Sequence, residues 1–180
     1  MAVKITKEDE LLLEMYSRAA SKKSDHLIYG NAILISLIPI WLFWRIHGLA
    51  LVANSILYAI VSTACAFLMS YAYTGAKAPL MERVAAKRSE SISKELAAET
   101  GKDKKLTRKE RDDAVRERTR EVADYESTTY SIFFNNCVYL LILLASSMVL
   151  QHFSAHVNYF ISMLLASGLT AFLSSGKSSL

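Results

Sequence analysis

Two histidines of this sequence have a spacing that could bind a metal ion. His152 and His156 are four residues apart, so on a helix their imidazoles would share a face, and His47 is expected at the same end of the protein. Such a site needs a further ligand, yet segments 46–48 and 151–158 contain no Asp, Glu or Cys. Histidine is polar enough to lie at a membrane surface without a metal. We therefore predict no metal site.

Motifs of enzyme chemistry are absent from the sequence. There is no glycine-rich phosphate loop, no nucleophile elbow and no His-Glu-x-x-His zinc motif. The long apolar tracts at 27–76 and 127–176 also lack Asp, Glu and Lys, which argues against a proton relay or an intramembrane protease. We predict that the chain is not an enzyme and needs no cofactor.

One short segment has the charge to bind phosphate. Residues 102–111 contain six basic and two acidic side chains, which gives the segment a net charge of +4. Arginine and lysine displace counterions from nucleic-acid backbones without reading bases, so RNA is a candidate partner. A solvated helix surface attracted to anionic membrane lipid is the alternative. We call this segment the basic cluster, and its members are Lys102, Lys104, Lys105, Arg108, Lys109 and Arg111.

The charges of the whole chain are segregated in a way that a bilayer requires. Of the 38 Lys, Arg, Asp and Glu residues, 36 lie within 1–26 and 77–126, and the others are Arg45 and Lys177. A charge at the centre of a membrane helix is strongly disfavoured, and a span needs about 20 apolar residues. Each of the two apolar tracts is long enough for two spans with a short turn between them. We predict an all-α membrane protein with four transmembrane helices in two hairpins.

An even number of spans places both termini and the central segment on one side. That side carries 20 of the 21 Lys and Arg residues, which marks it as cytosolic. The predicted boundaries are an N-terminal segment with a short amphipathic helix at 1–26, spans at 27–46, 49–74, 130–151 and 156–175, a cytosolic segment at 76–126 and a cytosolic tail at 176–180. Cys65 and Cys137 lie within spans and are expected to be free thiols.

The central segment has few large apolar residues, so it cannot form a globular core of its own. Its helix signals include Pro79 near a first turn, Gly101 as a stop, and Thr107 with Glu110 in a capping-box pattern. We predict a cytosolic antiparallel helical hairpin between the second and third spans, with the basic cluster at its tip.

Several polar and small residues in the spans are expected to pack between helices or against another membrane protein. The asparagines can form hydrogen bonds across helices, Ser162, Ala166 and Thr170 give a small-residue ridge at four-residue spacing, and Pro39 should kink the first span. The predicted packing residues are Asn31, Pro39, Asn54, Asn135, Asn136 and Gly168.

Several segments resemble the gamma subunit of the translocon-associated protein complex. They run in order over nearly the whole chain, at 30–32, 39–46, 121–126, 131–136, 157–159 and 166–169. The resemblance implies a multi-pass protein of the endoplasmic-reticulum membrane that assists translocation. It also implies partners, which are the alpha, beta and delta subunits, the Sec protein-conducting channel, and the large ribosomal subunit through its rRNA and a ribosomal protein. Membrane lipid is the partner expected from the composition of the chain.

The resemblance further implies that the basic cluster touches the ribosome, because Lys105, Arg108, Lys109 and Arg111 fit the family's basic run. Arg116 and Arg118 follow on the same helix. The favoured hypothesis is therefore a non-catalytic ribosome anchor. The alternative is a membrane insertase or membrane-perturbing factor, which would need a hydrophilic groove open to the cytosol near Asn31, Asn135 and Asn136.

Overall fold

A computed structural model of the chain describes the backbone at 7–100 and 108–175 and the side chains at 24–98 and 112–175. Over these residues the protein is all helical, as predicted, and contains no strand. The helices are α1 (Lys7–Arg45), α2 (Ser55–Thr100), α3 (Arg108–Val149) and α4 (Ala155–Ser175). All four contain a stretch long and apolar enough to cross a membrane.

Helix α1 is one continuous helix of 39 residues. The sequence predicts a short amphipathic helix within 1–26 and a separate span from 27, but the structure joins the two. No Gly or Pro lies between Lys7 and Tyr29, so no residue in that segment stops the helix. The helix also continues through Pro39, which is buried and lacks the N–H that would bond to Ile35.

The turn between α1 and α2 is longer than the sequence predicts. A span is expected from residue 49, whereas α2 begins at Ser55. Gly48 has a φ of 67°, a left-handed conformation that favours glycine and redirects the chain. Leu49 then folds back into the core at 3% exposure, with its N–H bonded to the Phe43 carbonyl at 3.2 Å. Because Leu49 turns into the core, the residues that follow it form part of the turn, and α2 begins only at Ser55.

Helices α2 and α3 extend beyond their apolar stretches, with 46 and 42 residues respectively. A span needs about 20 residues, so each of these helices has a further charged portion of similar length. We call residues 77–100 and 108–126 the charged arms, and the end of the bundle from which they project the charged end. The opposite end carries the α1–α2 and α3–α4 turns.

The core of the bundle is built on tyrosines, which must satisfy their hydroxyls away from water. The Tyr159 ring packs edge-on against Phe43 and Tyr58, with centroids 5.1 and 5.0 Å apart. Tyr139, which is fully buried, donates to the Met163 sulfur at 3.1 Å. Every pair of helices is in contact, but the contacts of α2 with α3 and with α4 are the most extensive, which makes α2 the centre of the bundle.

Candidate functional site: the charged arms and the polar contacts at their base

Half of the basic cluster lies outside the described residues, namely Lys102, Lys104 and Lys105. Arg108, Lys109 and Arg111 lie at the start of α3, where the structure describes the backbone alone. The backbone therefore places these three bases at the end of an arm, beside the connection to α2. No contact of the basic cluster is described.

Arg116 and Arg118, further along α3, are both exposed. The Arg118 guanidinium donates to Glu121 Oε2 at 2.9 Å across one helical turn, and both side chains are more than half exposed. Exposed pairs of this kind contribute little to stability and leave the guanidinium accessible. Arg118 can still approach a phosphate, although Glu121 offsets part of its charge.

The two charged arms are joined by a bidentate contact. Arg88 donates from Nη2 to Glu126 Oε1 at 2.7 Å and from Nε to Oε2 at 3.2 Å. The hydrogen bond to the Glu126 carboxylate, together with its charge, raises the pKa of Arg88. Ile92, one turn from Arg88 on α2, is 5% exposed, and Ala123, one turn from Glu126 on α3, is fully buried. The arms therefore share a thin apolar seam with an ion pair at its edge.

Thr119 of α3 lies on a buried face of the arm. Its residue exposure is 9%, and its Oγ1 is enclosed without a hydrogen-bond partner. Among the described side chains, this is the one enclosed polar atom that is left unsatisfied. The hydroxyl therefore costs stability at this position.

The base of the arms is fastened by four polar residues from three helices. Lys77 Nζ lies 2.6 Å from Asp124 Oδ1 and donates to Ser24 Oγ at 2.9 Å. Ser24 and Thr128 are 2.6 Å apart through their hydroxyls, and Thr128 Oγ1 also donates to the Asp124 carbonyl. The ion-paired side chains are only 15% and 19% exposed. We call Ser24, Lys77, Asp124 and Thr128 the clasp, and it joins α1, α2 and α3.

A second layer of hydrogen bonds lies just inside the clasp. Ser131 of α3 donates to the carbonyl of Tyr73 at 2.7 Å. Asn135 donates to the Ser131 carbonyl at 3.0 Å and accepts a bond from Ser174 of α4 at 2.6 Å. Asn135 is 1% exposed, and both ends of its amide form hydrogen bonds within the bundle. Its contacts join α3 to α4 beside the point where Ser131 joins α3 to α2.

Asn31 and Asn136 meet at one hydroxyl. Asn31 Nδ2 donates to the Tyr73 hydroxyl at 2.9 Å, and this hydroxyl donates to Asn136 Oδ1. The structure thus brings together two of the asparagines expected to bond across helices, through a tyrosine that the sequence did not single out.

Two other predicted packing residues have different surroundings. Asn54 lies in the α1–α2 turn, where it donates to the Ala50 carbonyl at 2.9 Å and bonds His156 Nε2 at 2.8 Å. Gly168 is half-buried, but a Cβ at this position would meet nothing within 4 Å. Asn54 therefore links the α1–α2 turn to the first turn of α4. No other helix in the described part of the chain approaches Gly168 closely.

The histidines at the turns have ordinary partners. His47 stacks on Phe43 with ring centroids 4.6 Å apart, and His156 bonds to Asn54. Across the described part of the chain, no three His, Cys, Asp or Glu side chains are grouped as metal ligands. Cys65 is buried and Cys137 exposed, and both are free thiols.

The sequence profile of the translocon-associated protein gamma subunit, TRAP-gamma, matches residues 8–176. The chain belongs to the TRAP-gamma family. It is also 28% identical over 170 residues to the translocon-associated protein subunit gamma of Dictyostelium discoideum, covering 94% of this chain and 96% of that protein.

The TRAP-gamma match covers the clasp, both charged arms and all four helices apart from Lys7. Family membership and four apolar helices together make this chain a translocon-associated membrane subunit. Sequence reasoning assigned Lys77 and Asp124 only to the charged segment and missed the clasp. The available signal was the pairing of Asp124 with Thr128 at i,i+4, opposite a single lysine at the boundary of the second span.

Proposed function

We propose that this chain is a non-catalytic subunit of the endoplasmic-reticulum membrane that anchors a translocon-associated complex to the translating ribosome. The charged end faces the cytosol, because a side so rich in Lys and Arg is retained there. The chain crosses the membrane four times as two hairpins, and both termini are cytosolic. In this role it assists co-translational translocation beside a Sec channel, together with alpha, beta and delta subunits.

The observation that carries the proposal is the attachment of the charged arms to the bundle. Three contacts hold α2 against α3 near the base of the arms, namely Tyr73 with Ser131, Lys77 with Asp124, and Arg88 with Glu126. From the first contact to the second, the residue number rises in α2 and falls in α3, as in an antiparallel hairpin. A rigid support of this kind can transmit a contact at its tip to the membrane bundle.

The length of the arms gives the hairpin its reach. From Lys77 to Thr100, α2 rises about 35 Å at 1.5 Å per residue. The basic cluster at the end of these arms would therefore stand well clear of the lipid headgroups and beyond the Debye length of roughly 8 Å. This distance favours a large phosphate-bearing partner over anionic lipid. Arg116 and Arg118 are exposed further along α3 and add to the positive charge of this arm.

The alternative, a membrane insertase, needs free polar groups in a groove open to the cytosol. Asn135 does not provide one, since its amide is enclosed and bonded to Ser131 and Ser174. Asn31 and Asn136 are half-buried and hold Tyr73 between them. The polar groups are thus used mainly for packing, which favours the anchor.

Site-directed crosslinking tests the proposal. A photoreactive residue at Leu106 or Thr107 of the full complex, on membranes with bound ribosomes, should react with large-subunit rRNA or an adjoining ribosomal protein. The same residue at Ser91, which is exposed midway along α2, serves as the control. Reaction of the tip positions with lipid alone, or with nothing beyond the background at Ser91, would exclude ribosome anchoring by the basic cluster.

A further inference from the structure

Two side-chain amides are accessible between α1 and α3, within the apolar part of the bundle. Asn31 and Asn136 are both half-buried, whereas the Tyr73 side chain that they share is fully buried beneath them. Asn31 uses its NH2 group to reach this tyrosine, and Asn136 uses its carbonyl oxygen. We call Asn31 and Asn136 the amide pair.

Each member of the amide pair retains one unused polar group. The Asn31 carbonyl oxygen and the Asn136 NH2 group form no hydrogen bond to any described residue. Neither group is enclosed by the chain, because in the described part of the structure Thr119 Oγ1 is the one enclosed side-chain polar atom without a partner. The pair therefore presents one acceptor and one donor to its surroundings.

The depth of the amide pair excludes water and lipid headgroups as ordinary partners. Asn31 lies seven residues from Ser24 on α1, and Asn136 lies eight residues from Thr128 on α3. At 1.5 Å per residue, these separations place the two amides about 10 and 12 Å from the clasp. With the clasp at the membrane boundary, both amides lie inside a hydrocarbon core about 30 Å thick. Acyl chains cannot form hydrogen bonds, so an unmet amide at this depth is costly.

The residues beside the amide pair are large and apolar. Leu34 lies one turn from Asn31 on α1 and is 65% exposed, and Phe133 lies one turn from Asn136 on α3 and is 69% exposed. Side chains three or four residues apart share a helix face, so these residues flank the amides on the same surface. The site thus combines apolar contact area with a donor and an acceptor, the combination by which membrane helices associate.

We propose that the amide pair docks a transmembrane helix of another, resident polypeptide, through a side chain that both donates and accepts a hydrogen bond. Ser, Thr, Asn and Gln have this chemistry. The carbonyl of Asn31 accepts from the partner side chain, and the NH2 group of Asn136 donates to it. This surface lies within the membrane and is independent of ribosome anchoring through the basic cluster.

Photocrosslinking from the surface locates the partner without disturbing the amides. A photoreactive phenylalanine replaces Leu34 or Phe133 in the full chain, expressed in its native membrane. Matched controls carry it at Phe67 of α2 and Phe172 of α4, which are 75% and 74% exposed. We expect one polypeptide to be crosslinked through a membrane segment from Leu34 and Phe133, but not from the controls.

Substitution of the amides then tests the hydrogen bonds themselves. The double variant Asn31→Leu with Asn136→Leu should lower the crosslinking yield roughly fivefold or more, the effect of losing one or two intramembrane hydrogen bonds. Because this variant also removes the partners of Tyr73, Tyr73→Phe is made in parallel. Tyr73→Phe retains both amides and should retain the crosslink. Thr63→Val, which removes an exposed hydroxyl already bonded to the Ala59 carbonyl, is the polar-to-apolar control.

Three results would overturn the proposal. The first is crosslinking to lipid alone from Leu34 and Phe133. The second is a crosslink that appears only with nascent chains and disappears after puromycin, which would identify a substrate surface instead. The third is an undiminished yield in the double variant.

Discussion

Lys77 and Asp124 form a 2.6 Å ion pair at the level where the apolar stretches of α2 and α3 give way to charge. Lys77 also donates a hydrogen bond to Ser24, so the contact extends from α2 and α3 to α1. Its side chains are less than one-fifth exposed, unlike Arg88, whose pair with Glu126 leaves it half exposed. The clasp is therefore the contact that most directly attaches the charged arms to the membrane bundle.

Breaking the clasp should destabilise the protein. Lys77→Met leaves Asp124 partly buried without its cation, and we expect a loss of about 2 kcal/mol in the free energy of unfolding. This loss is smaller than that for a fully buried ion pair, because solvent screens the partly exposed carboxylate. The measurement is denaturant unfolding of purified protein in detergent. The second substitution Asp124→Asn should recover much of the loss, and Arg88→Gln should change little. Equal effects of Lys77→Met and Arg88→Gln would show that the clasp has no special role.

Asn135 should resist replacement, because its side chain is buried and joins α3 to α4. Asn135→Leu removes the bonds to Ser131 and Ser174 and leaves the Ser174 hydroxyl in a buried site, so we expect a loss of about 1 to 3 kcal/mol. The same unfolding assay measures it. Thr63→Val on the outer surface is the control, because its hydroxyl bonds only to its own helix. A change no larger than that of the control would contradict the prediction.

Thr119 offers a stabilising substitution. Thr119→Val has nearly the same shape and removes a buried hydroxyl without a partner, so we expect a gain of about 1 kcal/mol. Limited proteolysis of the charged arms and unfolding in detergent both report it. Thr129→Val, at an exposed position where the hydroxyl bonds to the Tyr125 carbonyl, should give no gain. Destabilisation by Thr119→Val would mean that the hydroxyl has a partner in the native complex.

Gly48 should resist replacement. At a φ of 67°, alanine is strained by about 1 to 2 kcal/mol although a Cβ would meet nothing within 4 Å. The expected loss therefore comes from the backbone alone, and unfolding of Gly48→Ala in detergent measures it. Gly168→Ala, where the helix is regular and a Cβ also meets nothing, is the matched control. Similar stabilities of the two variants would exclude strain at Gly48.

The four apolar helices could be predicted because the bilayer imposes their length and forbids charge within them. The interruptions of these helices were harder to predict. Residues 49–54 are apolar enough for a span, and only the left-handed Gly48 and the inward Leu49 delay α2 to Ser55. Conversely, the charged sequence before residue 27 contains no helix stop, so α1 continues through it.

The polar contacts could be predicted by residue type but not by partner. Asparagines in a span indicate hydrogen bonds, yet only the register of the helices shows that Asn31 and Asn136 share Tyr73 while Asn135 bonds to Ser174. Lys77 could pair with any of several acids in the charged arms. The choice of Asp124 depends on how α2 lies against α3, and composition does not encode this register.

The most direct test of the anchor is the salt dependence of ribosome binding by the full complex. Lys105, Arg108, Lys109 and Arg111 are reversed to Glu in one variant, and the exposed Arg83, Lys87, Lys94 and Arg120 are reversed in a control with the same change in net charge. Loss of four phosphate contacts should reduce the slope of log affinity against log salt by about 3. We expect this reduction, with weaker co-sedimentation at physiological salt, in the first variant only. Co-sedimentation equal to that of the unmodified complex across the salt series would contradict the account.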